Sequence, residues 1–292
     1  MNYSVENEYL KITVSDIGAE LVSVISKADG CEYVWQGDEH FWNGQAPVLF
    51  PICCRLFGGY YTYEGNQYFM NCHGFLRKNP CDSAEVGENS ITVKLTPNDL
   101  TRSQYPFDFE LAVKYTLVGK KVCFSATVKN PSDDKTLIFA LGGHPGFNAP
   151  IDKGSFEDWY LEFDEKAEPE KFCFTDTCFQ TGKTEKYPLR DGKILPLRHD
   201  LFDHDALFFR NVCHAVTLKS DLSAKSVRVD FPEMNYLGVW HAVKKEAPYV
   251  CIEPMNGLPS FDGRVDDLST KTDTVHLAPG KVYTAGFDMT FN

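Results

Sequence analysis

The sequence predicts an all-β fold built of antiparallel strands. Short runs rich in Val, Ile, Phe and Tyr alternate with polar residues from one end of the chain to the other, which is the pattern of half-buried strands. Gly119-Lys120 joins two of these runs and is typical of a β-hairpin turn. Because no segment has the 3.6-residue period of an amphipathic helix, parallel strands connected by helices are not expected.

Twelve segments are predicted as strands. They are residues 8–14, 20–26, 91–96, 109–118, 121–129, 136–141, 159–163, 214–219, 225–231, 235–241, 248–253 and 282–290. Residues 164–200 are rich in Glu, Lys and Asp, and we expect them to form an irregular excursion from the sheet. No linker, low-complexity tract or charge block divides the chain, which indicates one domain over residues 1–292.

Composition narrows the possible partners. The 292 residues are 43% hydrophobic and carry a net charge of −12, so binding to nucleic acid or to an anionic membrane surface is not expected. The first residues, MNYSVENEYLKITVS, have neither the basic nor the apolar region of a secretion signal. A cytoplasmic protein is therefore expected.

The ten cysteines lie mostly in apolar runs, and no two of them form a CxxC pair. We interpret them as reduced thiols that act as small hydrophobic side chains. A disulfide framework or a zinc site is the less favoured interpretation. Dinucleotide, P-loop, zincin and nucleophile-elbow motifs are absent, so neither a cofactor nor a metal is predicted.

Four segments place an ionisable residue beside Gly or Pro at the end of an apolar run, where a side chain can reach a cleft. They are residues 51–59 (PICCRLFGG), 73–77 (HGFLR), 142–148 (GGHPGFN) and 252–257 (IEPMNG). Taken alone, His73 is as well explained as a core histidine, and His144 as part of a turn. A solvent-facing position at a strand edge explains Glu253 equally well, and a structural ion pair with a carboxylate explains Arg55 equally well. The four segments together favour a functional site.

On these motifs the chain resembles the aldose 1-epimerase (galactose mutarotase) family, and in particular its LacX-type branch. HGFLR, GGHPGFN and the downstream IEP occur in the family's order, after Val34-Trp35-Gln36-Gly37-Asp38 and Phe41-Trp42. The resemblance implies a single-domain antiparallel β-supersandwich of the galactose mutarotase type, with its site on a concave sheet face.

The resemblance also implies roles for the site residues. Glu253 would be the general base and His144 the general acid, while His73 and Arg55 would hold sugar oxygens. The family's sugar-binding aspartate would be Asp205, with Asp203 as the alternative that the sequence leaves open.

Recognition of a sugar also needs polar groups for its hydroxyls and aromatic faces for its C–H bonds. Asn148 is a candidate for the first purpose, and Phe57, Phe75, Phe147 and Trp240 are candidates for the second. Two residues depart from the family pattern. Cys54 stands where a glycine is expected before the arginine, and Met255 replaces an aromatic residue found in some relatives.

The predicted function is the interconversion of the α and β anomers of an aldohexose by ring opening and closure. This chemistry needs an acid and a base but no metal, nucleotide or covalent intermediate. A non-catalytic sugar-binding protein is the main alternative. A glycoside-cleaving enzyme or a metal enzyme using His73 and His144 is favoured less. The sugar, free or phosphorylated, and a monomeric or homodimeric state are left open.

Overall fold

The computed structural model describes residues 1–292 and contains 24 strands, one short α-helix and four 3₁₀ turns. The strands are β1 Asn2–Glu6, β2 Leu10–Ser15, β3 Leu21–Ser26, β4 Val48–Leu49, β5 Tyr60–Tyr63, β6 Asn66–Phe69, β7 Ser83–Val86, β8 Ser90–Leu95, β9 Glu110–Val118, β10 Lys121–Lys129, β11 Leu137–Phe139, β12 Gly142–Gly143, β13 Gly146–Asn148, β14 Trp159–Phe163, β15 Glu170–Phe174, β16 Gln180–Lys186, β17 Ile194–Pro196, β18 Leu207–Arg210, β19 Ala215–Ser220, β20 Ser226–Asp230, β21 Tyr236–Trp240, β22 Tyr249–Met255, β23 Val275–Leu277 and β24 Val282–Phe291. The helix is α1 Asp99–Gln104, and the 3₁₀ turns are Phe57–Gly59, Leu76–Lys78, Phe156–Asp158 and His199–Phe202.

Two large sheets dominate the fold. The first has nine strands in the order β17-β14-β19-β20-β24-β10-β9-β8-β7, and the second has the order β16-β15-β18-β21-β22-β12-β4, with β13 also paired to β22. All strand pairs in both sheets are antiparallel. The predicted all-β antiparallel fold is therefore confirmed. No helix of the chain has the length and apolar character that crossing a membrane requires.

The two sheets share one hydrophobic core. In β9, Leu111, Val113, Tyr115 and Leu117 are buried, while the residues between them are not, as the two-residue period of a strand requires. These side chains belong to a cluster of 65 buried residues to which both sheets contribute. At about 25 cal/mol per Å² of buried apolar surface, such a cluster is the main favourable term in folding.

The expectation for residues 164–200 was wrong. This segment contains β15, β16 and β17, and the first two form one edge of the second sheet. Six of the seven residues of β16 are exposed, so no face of the strand carries an apolar pattern. An edge strand with both faces in water leaves no alternation for sequence analysis to detect.

Strand β22 faces two different environments. Val250 and Ile252 point into the main core, whereas Cys251 and Glu253 lie on the opposite face of the sheet. All seven residues of this strand are buried. Glu253 is therefore placed on a covered outer face of the second sheet, although the strand that carries it reads as apolar.

Gly74 fixes the segment that carries His73. Its φ is +75°, and a Cβ added there would lie 2.2 Å from the carbonyl oxygen of Phe50. Since no side chain tolerates such a contact with backbone, only glycine allows the two segments to approach this closely.

We expect Gly74→Ala to destabilise the protein by about 3 kcal/mol or more, because a left-handed conformation and a backbone clash add together. Gly65→Ala is the matched control, since Gly65 has a φ of +76° but no atom within 4 Å of an added Cβ. Its cost should be the conformational part alone, about 1–2 kcal/mol. Denaturant unfolding measures both, and equal losses would contradict the assignment of the close contact.

Candidate active site

A cavity of about 350 Å³ lies on the outer face of the second sheet, a volume in the range of small-molecule sites. Strands β15, β18, β21 and β22 supply part of its lining, and the connections that follow β3, β4, β6, β12, β15, β17, β21 and β22 supply the rest. Distant segments of the chain thus meet at one place, as the grouping of the four motifs predicted.

Glu253 and His144 form the floor of this cavity. Glu253 extends from β22, and His144 lies in the turn between β12 and β13, where its backbone N–H donates to the Pro47 carbonyl at 3.0 Å. Glu253 Oε1 and His144 Nε2 are 3.2 Å apart, and the two side chains are only 2% and 8% exposed. They are close enough to exchange a proton but are not aligned as a hydrogen bond, since Glu253 Oε1 has no hydrogen-bond partner.

A glycine on the neighbouring strand leaves space for the Glu253 carboxylate. Gly238 on β21 is paired directly with Glu253, and a Cβ added at Gly238 would lie 3.1 Å from Glu253 Oε2. A side chain at position 238 would press on the carboxylate, which would have to shift to make room.

Burial opposes the charged form of both residues. It raises the pKa of Glu253 well above the ordinary 4.5, and the nearby Asp205 carboxylate adds to this shift. Burial also lowers the pKa of His144 to about 3. The expected roles of general base and general acid imply an ionised Glu253 and a protonated His144, but burial favours a neutral pair that holds one proton. The depth of burial, which sequence does not reveal, is the reason for the difference.

His73 is held in one tautomer. Its Nδ1 accepts the backbone N–H of Cys54 at 3.0 Å, and its own backbone N–H donates to the Cys54 carbonyl at 2.8 Å. Burial, together with the neighbouring His144, lowers the pKa of His73 well below 6.5. Since Nδ1 is an acceptor in a neutral ring, the proton must be on Nε2, which makes the ring a hydrogen-bond donor.

Arg55 and Asp205 form an ion pair on the wall of the cavity, with Arg55 Nη2 and Asp205 Oδ2 at 3.0 Å. The Cys178 thiol donates to the same carboxylate oxygen at 2.7 Å. Burial and this carboxylate raise the pKa of Cys178 to about 12, so the thiol keeps its proton. Asp203, the alternative aspartate, is exposed and does not line the cavity.

Two tryptophans enclose the imidazole of His144. The Trp42 ring lies 5.0 Å from it at an interplanar angle of 32°, and Trp240 meets it edge to face at 5.5 Å. Phe174 and Phe208 line the same cavity. The cavity therefore combines aromatic faces with hydrogen-bonding groups, the combination that suits a pyranose ring with C–H and O–H surfaces.

The structure places two of the predicted substrate-binding residues away from the cavity. The Asn148 amide donates to the backbone carbonyls of Glu32 and Val34, at 2.9 and 3.4 Å. Phe75 is buried in the core, with its ring stacked on Phe109 at a centroid distance of 6.0 Å. Both residues stabilise the fold through these contacts, so neither is retained among the proposed sugar contacts.

The other aromatic candidates divide in the same way. Trp240 lines the cavity, whereas Phe147 is fully buried and Phe57 packs on Phe179. Met255 is also fully buried, with its sulfur 3.8 Å from Cys54 Sγ. It lies outside the cavity lining, and the missing aromatic residue at this position therefore removes no stacking surface.

Sequence analysis missed several residues of the lining. Trp42 was noted only as part of a motif, and Arg77 was not assigned to the site. Phe174 and Cys178 fall in the segment that was expected to be irregular. Phe208 could have been found, because Leu207 and Phe209 on either side belong to the core and alternation then points Phe208 to the other face.

Comparisons with known proteins identify the family of this chain. The family model for aldose 1-epimerase matches residues 1–290. The plasmid-encoded protein LacX of Lactococcus lactis subsp. lactis is 36% identical over 300 residues, covering 99% of each chain. A galactose mutarotase related enzyme from Lactobacillus acidophilus is 37% identical, with a TM-score of 0.95 over 100% of this chain and 97% of its own. A galactose mutarotase-like protein from Lactobacillus casei ATCC 334 is 32% identical, with a TM-score of 0.93 over both full chains. The chain belongs to the aldose 1-epimerase family.

Proposed function

We propose that this protein is an isomerase that interconverts the α and β anomers of an aldohexose. The observation that carries the proposal is the buried contact of 3.2 Å between Glu253 Oε1 and His144 Nε2 at the floor of a sugar-sized cavity. A purely structural role does not explain it, because burying two titratable groups without aligned hydrogen bonds costs stability.

The proposed reaction moves two protons and opens one bond. Glu253 takes the proton of the C1 hydroxyl, and His144 delivers a proton to the ring oxygen as the bond between C1 and that oxygen breaks. Rotation about C1–C2 in the open aldehyde then exposes the other face of the carbonyl. Closure reverses both transfers, so the enzyme returns to its starting state and no group is consumed.

The resting neutral pair is compatible with this scheme. Transfer of the shared proton from Glu253 to His144 produces the carboxylate and the imidazolium without exchange with solvent. Hydrogen bonds donated by sugar hydroxyls would stabilise the carboxylate once the cavity is filled. The working form therefore carries the same total charge as the resting form.

The remaining residues would bind and orient the sugar. His73 donates through Nε2, while Arg55 and Asp205 offer a donor and an acceptor on the wall of the same cavity. Arg77 lines the cavity and makes no ion pair with a carboxylate. Because Arg77, unlike Arg55, has no carboxylate partner, the cavity is compatible with a phosphorylated aldose as well as with free sugars. A small-molecule sugar is thus the proposed partner.

Glu253→Gln and His144→Ala should each slow anomer exchange by roughly 10²–10⁴-fold, since each removes one proton-transferring group. The double variant should lose little more than either single variant, because the two groups act as a unit. Two-dimensional NMR exchange spectroscopy of an aldose measures these rates. Glu246→Gln and His276→Ala, both exposed and outside the cavity, are the controls and should keep the wild-type rate. Undiminished exchange in both single variants would exclude this mechanism.

The pH dependence follows from the opposite pKa shifts of the pair. A raised Glu253 pKa means that the pair keeps its one proton as pH rises past 4.5, and a lowered His144 pKa means that it gains a second only near pH 3. The value of kcat/KM, measured in buffer with EDTA, should therefore show no inflection at the ordinary pKa of either group, about 4.5 for glutamate and about 6.5 for histidine. An inflection near 4.5 or 6.5 would show that the residues titrate independently.

The hydrogen bond between the Cys54 N–H and His73 Nδ1 predicts a neutral Nε2–H imidazole at pH values well below 6.5. Nitrogen-15 NMR of the histidine rings distinguishes this tautomer from the Nδ1–H form and from the cation. The exposed ring of His276 gives a second, resolvable imidazole signal in the same spectrum. A His73 ring that becomes protonated near the ordinary histidine pKa of about 6.5 would refute the assigned donor role.

A further inference from the structure

A buried thiol lies beside the Glu253–His144 pair. Cys251 lies two residues before Glu253 on the same face of β22 and has no exposed surface. One ligand atom from each of Cys251, His144 and Glu253 lies within 4.8 Å of the other two. Glu253 Oε1 and His144 Nδ1 have no hydrogen-bond partner, although both are buried. The proposed acid–base reaction has no use for the thiol.

These donors match the ligands of zinc. Imidazole nitrogen, thiolate sulfur and carboxylate oxygen all bind Zn²⁺, and three protein ligands with one open position form a common arrangement. Bond lengths of about 2.0–2.3 Å at tetrahedral angles place such ligand atoms about 3.4–3.6 Å apart. The 3.2 Å between Glu253 Oε1 and His144 Nε2 is close to this value. Since the three ligand atoms lie within 4.8 Å of one another, a shift of about 1 Å or less would bring Cys251 Sγ into range.

We propose that Cys251, His144 and Glu253 bind Zn²⁺ and that the bound ion inhibits the protein by occupying its acid–base pair. The inhibition rests on the proposed function, whereas the binding does not. Zinc would displace the thiol proton and the proton of the pair into solvent, leaving a thiolate, a carboxylate and a neutral imidazole. The two negative charges balance the ion, so the buried site stays neutral.

The cavity supplies the route and the fourth ligand. His144 and Glu253 line the cavity, whereas Cys251 lies behind them. An ion that enters from solvent would thus meet the pair first and keep one position open for water. A sugar competes for the same place, so inhibition should be competitive with the sugar.

Isothermal titration calorimetry with Zn²⁺ alone tests the binding. We expect the wild-type protein to bind one ion and Cys251→Ala to bind at least about tenfold more weakly. Co²⁺ gives a second readout, because a thiolate ligand produces a near-ultraviolet charge-transfer band that Cys251→Ala should abolish. Cys251→Ser keeps the shape of the side chain and should also lose the band, which provides a test if the alanine variant does not fold.

Cys72→Ala is the matched control, since this thiol lines the cavity but does not belong to the trio. It should bind zinc as the wild-type protein does. Anomer exchange should be unchanged in Cys251→Ala but should resist zinc concentrations that stop the wild-type protein. Equal zinc affinity in wild type and Cys251→Ala, or no binding at all, would overturn the proposal. If the wild-type protein catalyses no exchange, the proposed function fails, and calorimetry still decides the metal site.

Discussion

The contact between Glu253 and His144 is the constraint on which the rest of the site depends. Two titratable side chains only 3.2 Å apart and almost fully buried are tolerated only if their surroundings fix both of them. Gly238 leaves the space for the carboxylate. The Trp42 and Trp240 rings confine the imidazole. Burying this pair costs free energy, and the packing of the surrounding sheet, not hydrogen bonds to the pair, keeps the two side chains in place.

Backbone strain is concentrated around the same cavity. Four non-glycine residues of the lining, Cys54, His73, Cys178 and Asp205, have φ values between 62° and 78°, a region that costs about 1–2 kcal/mol for each side chain with a Cβ. This explains why a glycine was expected at position 54.

Each strained residue is held by a specific contact. Cys54 and His73 bind each other through two hydrogen bonds, and Asp205 is bound by Arg55 and by the Cys178 thiol. The strain turns these side chains toward a common centre that a regular strand could not reach. Strain that is paired with such contacts is typical of functional sites.

Sequence analysis predicted the fold class and brought the right segments together. The alternation of apolar and polar residues identified the half-buried strands, and the motifs around Arg55, His73, His144 and Glu253 pointed to one site. Sequence analysis did not predict strands whose residue pattern is independent of what packs against them. The exposed edge strand β16 is one example.

The same limit separates the cavity residues from their neighbours. Asn148 and Phe75 lie in the same motifs as His144 and His73, yet one spans two backbone carbonyls and the other fills the core. A motif fixes a stretch of backbone, but only the three-dimensional fold decides which of its side chains reaches the cavity. The opposite pKa shifts of Glu253 and His144 depend on burial, so they could not be predicted from the sequence either.

Exchange between the α and β anomers, measured by NMR for free and 6-phosphorylated aldoses with the wild-type protein, tests the central claim most directly. The account predicts that at least one aldose exchanges its anomers much faster with the protein than in buffer alone. Saturable sugar binding without any acceleration of exchange would contradict it, because the Glu253–His144 pair would then serve binding and not proton transfer.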